Sequence, residues 1–329
     1  MPRSERSTNP LMRNVLALLV ASVTVGIAHL NLDPFCTGGE GGGAKRANAA
    51  PPRMPPPPEL PTQIPASSEL VAAVASAASP STKVADDPST LRGVWALKMA
   101  AALLEKGCHN FSKVPDYTAC MFKQERLNGA LGDGQTIDLK VRHEPYSVYM
   151  KWQSGDRGRQ LIYVHGQNDG NMLVQPGGIK GRLTGLLSLE PTGSLAMAES
   201  RYPITKAGLL QLGHTILEYQ HQDLERGCGF TCELRDHQEF EGRACYLYHI
   251  NYESPEIHSV YRKSLIYVDK ELSLPICVKN YTWGKDVNPE TIDEETLIEF
   301  YAYTDLKIEQ ELSASDFDRN NRDYKLRVR

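Results

Sequence analysis

Tyr117-Thr118-Ala119-Cys120-Met121-Phe122-Lys123-Gln124-Glu125-Arg126 opens the region that decides the fold. A turn rich in glycine (Gly129, Gly132, Gly134) follows, then Ile137 to Arg142, Pro145, and Tyr146 to Trp152. Short segments of period-two alternation, cut by Gly and Pro, predict an antiparallel meander. In Gln135 to His143, Ile137, Leu139 and Val141 share one face, with Thr136, Asp138, Lys140 and Arg142 on the other. In Ser147 to Gln153, Val148, Met150 and Trp152 oppose Tyr149 and Lys151. Gln160 to His165 and Asn171 to Gln175 continue the series. One apolar and one polar face marks an antiparallel sheet covered on a single side.

Outward from this meander the period changes. Upstream, Leu91, Val94, Trp95, Met99, Ala102 and Leu103 fall at helical spacing, with Asp87 or Ser89 as the cap, Pro88 in the first turn and Gly107 at the end. Downstream, Thr205 caps a helix expected over 206–226, with Leu209, Leu212, Ile216, Leu217 and Leu224 on its apolar stripe. Strands then resume at Phe230 to Asp236 and Arg243 to Glu253, joined at Glu241-Gly242, with Tyr246, Tyr248, Ile250 and Tyr252 on one face. Ser264 to Val268, Ile276 to Trp283 and Glu294 to Asp305 follow, and Lys307 to Leu312 reads as an edge strand. Roughly ten strands form a sheet that must curl. The fold class is therefore α+β: a strongly curved antiparallel sheet, an open half-barrel, covered by helices.

The chain has 329 residues, a formal net charge of −4 and 41% hydrophobic residues. Mild acidity with scattered basic residues gives no basic face for nucleic acid, and Arg157 and Arg159 read as a solvated turn. Arg3, Arg6 and Arg13 precede an apolar run from Val15 to Ala28, so residues 1–36 read as an export signal, with cleavage after Gly26-Ile27-Ala28, or as an uncleaved membrane anchor. Residues 37–86, with Gly41-Gly42-Gly43 and Pro55-Pro56-Pro57-Pro58, read as a disordered Pro/Gly/Ala-rich tether. The folded domain is expected over 87–329. Such a layout places it in the periplasm or cell envelope, attached to the inner membrane if the first segment is retained.

Export permits disulfides. Cys36 lies in the tether, after an Asp33-Pro34-Phe35 that makes a poor lipidation site. Of Cys108, Cys120, Cys228, Cys232, Cys245 and Cys277, the pair Cys228 and Cys232 makes the best local clip; Cys245 and Cys277 read as buried thiols. Cys228, Cys232 and His237 lack a fourth zinc ligand nearby. Gly-x-Ser-x-Gly is absent, and His214 and His221 share a helix face without making a site. The expectation is a non-enzymatic protein with no cofactor and no metal.

Several segments resemble the bacterial lipoprotein-carrier (LolA/LolB-like) superfamily. Phe122 and Gln124 match its Phe-x-Gln; Gly134 to Val141 and Pro145 to Trp152 match its second and third strands. Val268-Asp269 through Leu274-Pro275 matches its Val-Asp, turn, Leu-Pro hairpin, and Ser315-Asp316-Phe317 its terminal Asp-x-Phe. Arg201-Tyr202-Pro203-Ile204-Thr205 and Glu299-Phe300-Tyr301 resemble an uncharacterised family of exported bacterial domains related to those carriers. The chain departs from the carriers at Glu144, where they have a basic residue before the Pro, and at Asn171-Met172-Leu173, where they have an aromatic motif.

The resemblance implies a lipid or a lipoprotein acyl chain as partner, held in the half-barrel without covalent chemistry. The expected lining is Met121 or Phe122, Leu139, Val141, Met150, Trp152, Ile162, Val164, Tyr246, Tyr248, Ile250 and Ile266, with Arg142 at the mouth. The alternative is a cell-envelope protein-interaction or structural module with a filled core and no lipid.

Overall fold

The computed structural model describes residues 89–178, 184–285 and 287–326. The export segment, the tether and Asp87-Pro88 lie outside the described residues.

The strands are β1 (Thr90–Arg92), β2 (Asp116–Leu127), β3 (Ala130–Leu131), β4 (Gln135–Arg142), β5 (Ser147–Trp152), β6 (Gln160–Val164), β7 (Met172–Gln175), β8 (Leu187–Leu189), β9 (Phe230–Phe240), β10 (Arg243–Tyr252), β11 (Lys263–Asp269), β12 (Pro275–Tyr281) and β13 (Leu297–Ile308). Two long helices, α1 (Val94–Phe111) and α2 (Leu209–Arg226), interrupt them. Among the described residues these thirteen strands make one sheet in the order β1-β9-β10-β11-β12-β13-β2-β4-β5-β6-β7-β8, with β3 added to β2. Every pairing is antiparallel, and β1 does not meet β8, so the sheet is open. The α+β architecture expected from the sequence is the one observed, with more strands because β1, β3 and β8 are short. β13 continues to Ile308, and among the described residues no separate edge strand follows it.

The curl follows from geometry. Residues from nine successive strands, β10 round to β7, line one cavity. At about 4.8 Å per strand a flat sheet would spread them over roughly 38 Å. Register shifts at Cys245/Leu247, Tyr267/Val268, Asn280/Tyr281 and Thr304/Lys307 supply the local bends.

The helices differ from their sequence reading in ways that packing explains. Gly93, not Asp87 or Ser89, precedes α1, and Gly107 lies inside the helix. The buried stripe is Ala96, Leu97, Ala100, Ala101, Leu104, Cys108 and Phe111, whereas Leu91, Val94, Trp95 and Met99 are exposed, Trp95 by 69%. Small side chains bring α1 close: a Cβ on Gly107 would collide with the Ser273 carbonyl, and one on Gly213 of α2 would lie 2.8 Å from Cys108 Sγ. α2 starts at Leu209 after a 3-10 turn at Ile204–Lys206, and Gly208 (φ +89°) precedes it. Gly227 closes it in the left-handed conformation.

The outer face of the sheet is not wholly polar. The C-terminal segment brings Phe317 and Tyr324 against Tyr149, Ile162, Val164 and Leu173. Tyr324 stacks on Tyr149 at 4.0 Å, and Gln160 Nε2 donates to the Tyr324 carbonyl.

Candidate functional site

The cavity lies between the inner face of the sheet, α2 and the segment that leads into α2. Alternation along each strand decides what enters it. On β5 and β6, Met150, Trp152 and Leu161 point inward; with Ile137 and Met172 they make an apolar lobe under β4 to β7. On β10 to β12, Tyr248, Ile250, Ile266 and Val278 make a second lobe beneath Ile216 and Tyr219 of α2. The cavity volume is about 150 Å³.

A polar saddle separates the lobes. Glu125 on β2 and Glu299 on β13 are cross-strand partners, 6% and 1% exposed. Glu299 Oε2 accepts from Arg201 Nε at 2.7 Å; its Oε1 accepts from Tyr261 Oη (2.7 Å), Tyr202 Oη (3.1 Å) and Asn280 Nδ2 (2.6 Å). Glu125 pairs with Lys123 Nζ at 3.0 Å and accepts from the Tyr301 hydroxyl and the Arg201 backbone N–H. Lys123 also donates to Ser200 Oγ at 2.8 Å. Deeper under α2, Asp223 accepts from Tyr252 Oη (2.7 Å) and Arg226 (2.5 Å). Arg201-Tyr202 and Glu299-Tyr301, far apart in the chain, thus meet at one buried ion-pair cluster.

Burial sets the ionisation of this cluster. It pulls the Lys123 ammonium below its ordinary range, against the attraction of Glu125. It pushes the Asp223 carboxyl up, opposed by Tyr252 and Arg226. The Tyr202, Tyr261 and Tyr301 hydroxyls are pushed up by burial and then by the nearby carboxylates, so they remain protonated donors. For Arg201, burial works against the charge, but Glu299 overrides it and raises the guanidinium further.

Of the residues expected to line the cavity, Met121, Met150, Trp152, Tyr248, Ile250 and Ile266 do so. Leu139 and Val141 are on the inner face but lie in the packed core, where Tyr117 and the start of α2 cover them. The rest are corrected. Phe122 points outward onto Phe300, with ring centroids 4.8 Å apart. Ile162 and Val164 belong to the outer cluster beneath Phe317 and Tyr324. Arg142 is also outside, its guanidinium 5.0 Å from the Phe317 ring and donating to Ser147 Oγ. Tyr246 lies outside the lining of the cavity, under the Lys270 ammonium. The expected Cys228–Cys232 clip is not formed: both are free thiols, Cys228 exposed and Cys232 buried with Sγ directed at the Gly93 carbonyl.

The saddle escaped sequence reading because charged residues on strands look like solvated faces. A signal was there: Lys123 and Glu125 continue the inward alternation of Met121, and Glu299 and Tyr301 that of Tyr303. Among the described residues no group of His, Cys, Asp and Glu is arranged to hold a metal, and no helix is long and apolar enough to cross a membrane.

Similar solved structures include the Mycobacterium tuberculosis lipoprotein LppX, at 11% identity and a TM-score of 0.37, covering 67% of this chain and 99% of that one. Another is a LolA superfamily protein from Nitrosomonas europaea, at 11% identity and a TM-score of 0.28, with 67% and 97% covered. A third is the Pseudomonas aeruginosa MucA/MucB complex, at 13% identity and a TM-score of 0.37, with 67% and 60% covered. No curated protein matches the chain in sequence. The sequence pattern of one family covers residues 114–326, the sheet from β2 onward with the whole saddle, and by that match the chain belongs to the family described as a protein of unknown function, DUF1571.

Proposed function

We propose that this domain is an exported, non-enzymatic carrier or sensor that holds an acyl chain in the cavity between its curved sheet and α2. The observation that carries the reading is the pair of apolar lobes, with Met121, Met150 and Met172 in or beside the first. Each buried methylene contributes about 0.8 kcal/mol, so no catalytic group is needed to hold a chain. At about 150 Å³ the cavity is smaller than ordinary ligand sites, which run from about 300 to 1,000 Å³. Entry of a chain therefore requires side chains to move, and thioethers do so readily. The N-terminal apolar segment supports export to the periplasm or cell envelope, with inner-membrane attachment where it is retained.

The full chain, purified natively and extracted with organic solvent, is expected to release acyl lipid detectable by mass spectrometry. A fluorescent acyl probe should bind saturably and be displaced by lipid, and Met150→Trp, which fills the first lobe, should abolish that binding. Lipid-free protein that takes up no probe overturns the reading. It would favour a protein-interaction module, for which the exposed Leu91, Val94, Trp95 and Met99 offer a contact face.

A further inference from the structure

Each buried carboxylate at the cavity has its own cation. Glu125 is paired with Lys123, Glu299 with Arg201 and Asp223 with Arg226. Lys206 stands exposed on the segment that leads into α2, whereas the second lobe, lined by Ile216, Tyr219, Tyr248, Ile250, Ile266 and Val278, carries no cation, so a carboxylate or phosphate brought in there would lie unpaired.

Neutral hydrogen-bonding capacity is not matched. Gln220 projects from α2 into the second lobe, 2% exposed, and neither its amide oxygen nor its amide nitrogen has a protein partner. Across the lobe, Asn280 on β12 is 8% exposed. Its Nδ2 donates to Glu299, which fixes the orientation of the amide and leaves Oδ1 as a bare acceptor. Buried amides are nearly always bonded, and one left bare destabilises the fold.

We infer that the cavity selects an amphiphile whose polar end is uncharged and carries a hydroxyl or amide hydrogen, received by Gln220 and Asn280. This rests on the acyl-chain reading above and names the class of lipid. The lipid's hydrogen satisfies Asn280 Oδ1, its oxygen satisfies the Gln220 amide N–H, and its chain lies in the lobes.

The test is displacement of a fluorescent acyl probe from the full chain by three lipids of equal chain length: 1-monopalmitoylglycerol, methyl palmitate and, at pH 8, palmitate. The monoacylglycerol is expected to displace at about tenfold lower concentration than the methyl ester, as one added hydrogen bond allows. Palmitate should be weakest. Gln220→Met should bring monoacylglycerol and methyl ester to within about twofold of each other. It should not lower the denaturation midpoint of the lipid-free protein, whereas a merely structural Gln220 would lower it. The comparison in the natural chain stands without that variant. Equal displacement by monoacylglycerol and ester overturns the head-group assignment while leaving the acyl reading intact, with water then serving the amides. Preference for palmitate also overturns the assignment. Displacement by none of the three overturns the acyl reading, and the assignment with it.

Discussion

Glu125 and Glu299 stand directly opposite each other on β2 and β13, both buried, each held by a different cation. Like charges so placed repel, and Arg201 is what makes the pair tolerable, since it binds Glu299 through Nε and Glu125 through its backbone N–H. Arg201→Met removes the charge beside a carboxylate that is 1% exposed. A loss of about 3 kcal/mol is expected in guanidinium denaturation. The double variant Arg201→Met, Glu299→Gln should recover much of it, because no uncompensated charge remains.

Stability should fall in mild acid. Burial, aided by Lys263 and Arg235, pulls the His249 imidazole from 6.5 down to about 4. Between those values the unfolded chain binds a proton that the folded chain refuses. The contribution is therefore present above about pH 6.5 and is lost as the pH falls toward about 4, by at most about 3 kcal/mol. His143 and His258 shift in the same direction, while Asp223, pushed up by burial, works against them. The readout is thus the difference between the natural chain and His249→Gln: denaturation midpoints across this range should slope less in the variant.

Tyr117 Oη accepts the Leu209 backbone N–H at 2.8 Å and so starts α2 over the first lobe. Tyr117→Phe should cost about 1–2 kcal/mol, since that N–H then lies buried without a partner. Gly208→Ala should cost at least as much, because φ is +89° and the new Cβ would strike the same hydroxyl. Thermal denaturation of both variants checks the pair.

Trp152 lines the cavity at 5% exposure, whereas Trp95 stands in solvent. A chain carrying Trp152 alone, with Trp95→Phe and Trp283→Phe, should change its emission on titration with monopalmitoylglycerol. A chain carrying Trp95 alone should not.

Thiol labelling should separate the cysteines by burial. Among the described cysteines Cys228 is expected to react first in the native protein, while Cys108, Cys232, Cys245 and Cys277 wait for denaturant. Burial pushes the Cys277 thiol up to about 12 and the Cys108 and Cys245 thiols to about 11, which slows them further. A Cys228–Cys232 disulfide in non-reducing peptide mapping would contradict the structure.

The meander was legible because alternation, Gly and Pro mark strands directly, and β2, β4, β5 and β10 lie within a few residues of where the pattern places them. What alternation cannot show is which face looks inward when both are apolar. On β6 all five residues are buried, because Phe317 and Tyr324 arrive from the far end of the chain, and so Ile162 and Val164 were placed on the wrong side. The α1 stripe misled for the converse reason. Its largest apolar residues stay in solvent, while alanines make the contact, since closeness and not bulk decides that packing. Arg201 meets its saddle partners across 76 and 98 positions, and Tyr301 meets Glu125 across 176, which no local pattern reports.

Synthesis proceeds from the N-terminus, and this gives the outer tail a meaning in time. Tyr149, Ile162, Val164 and Leu173 leave the ribosome, or the export channel, long before Phe317 and Tyr324 exist to shield them. Until Phe317 and Tyr324 arrive, that flank of the nascent sheet lies uncovered. A chain cut short just before Ser313 would keep that flank uncovered for good, and such a fragment should aggregate where the longer chain does not.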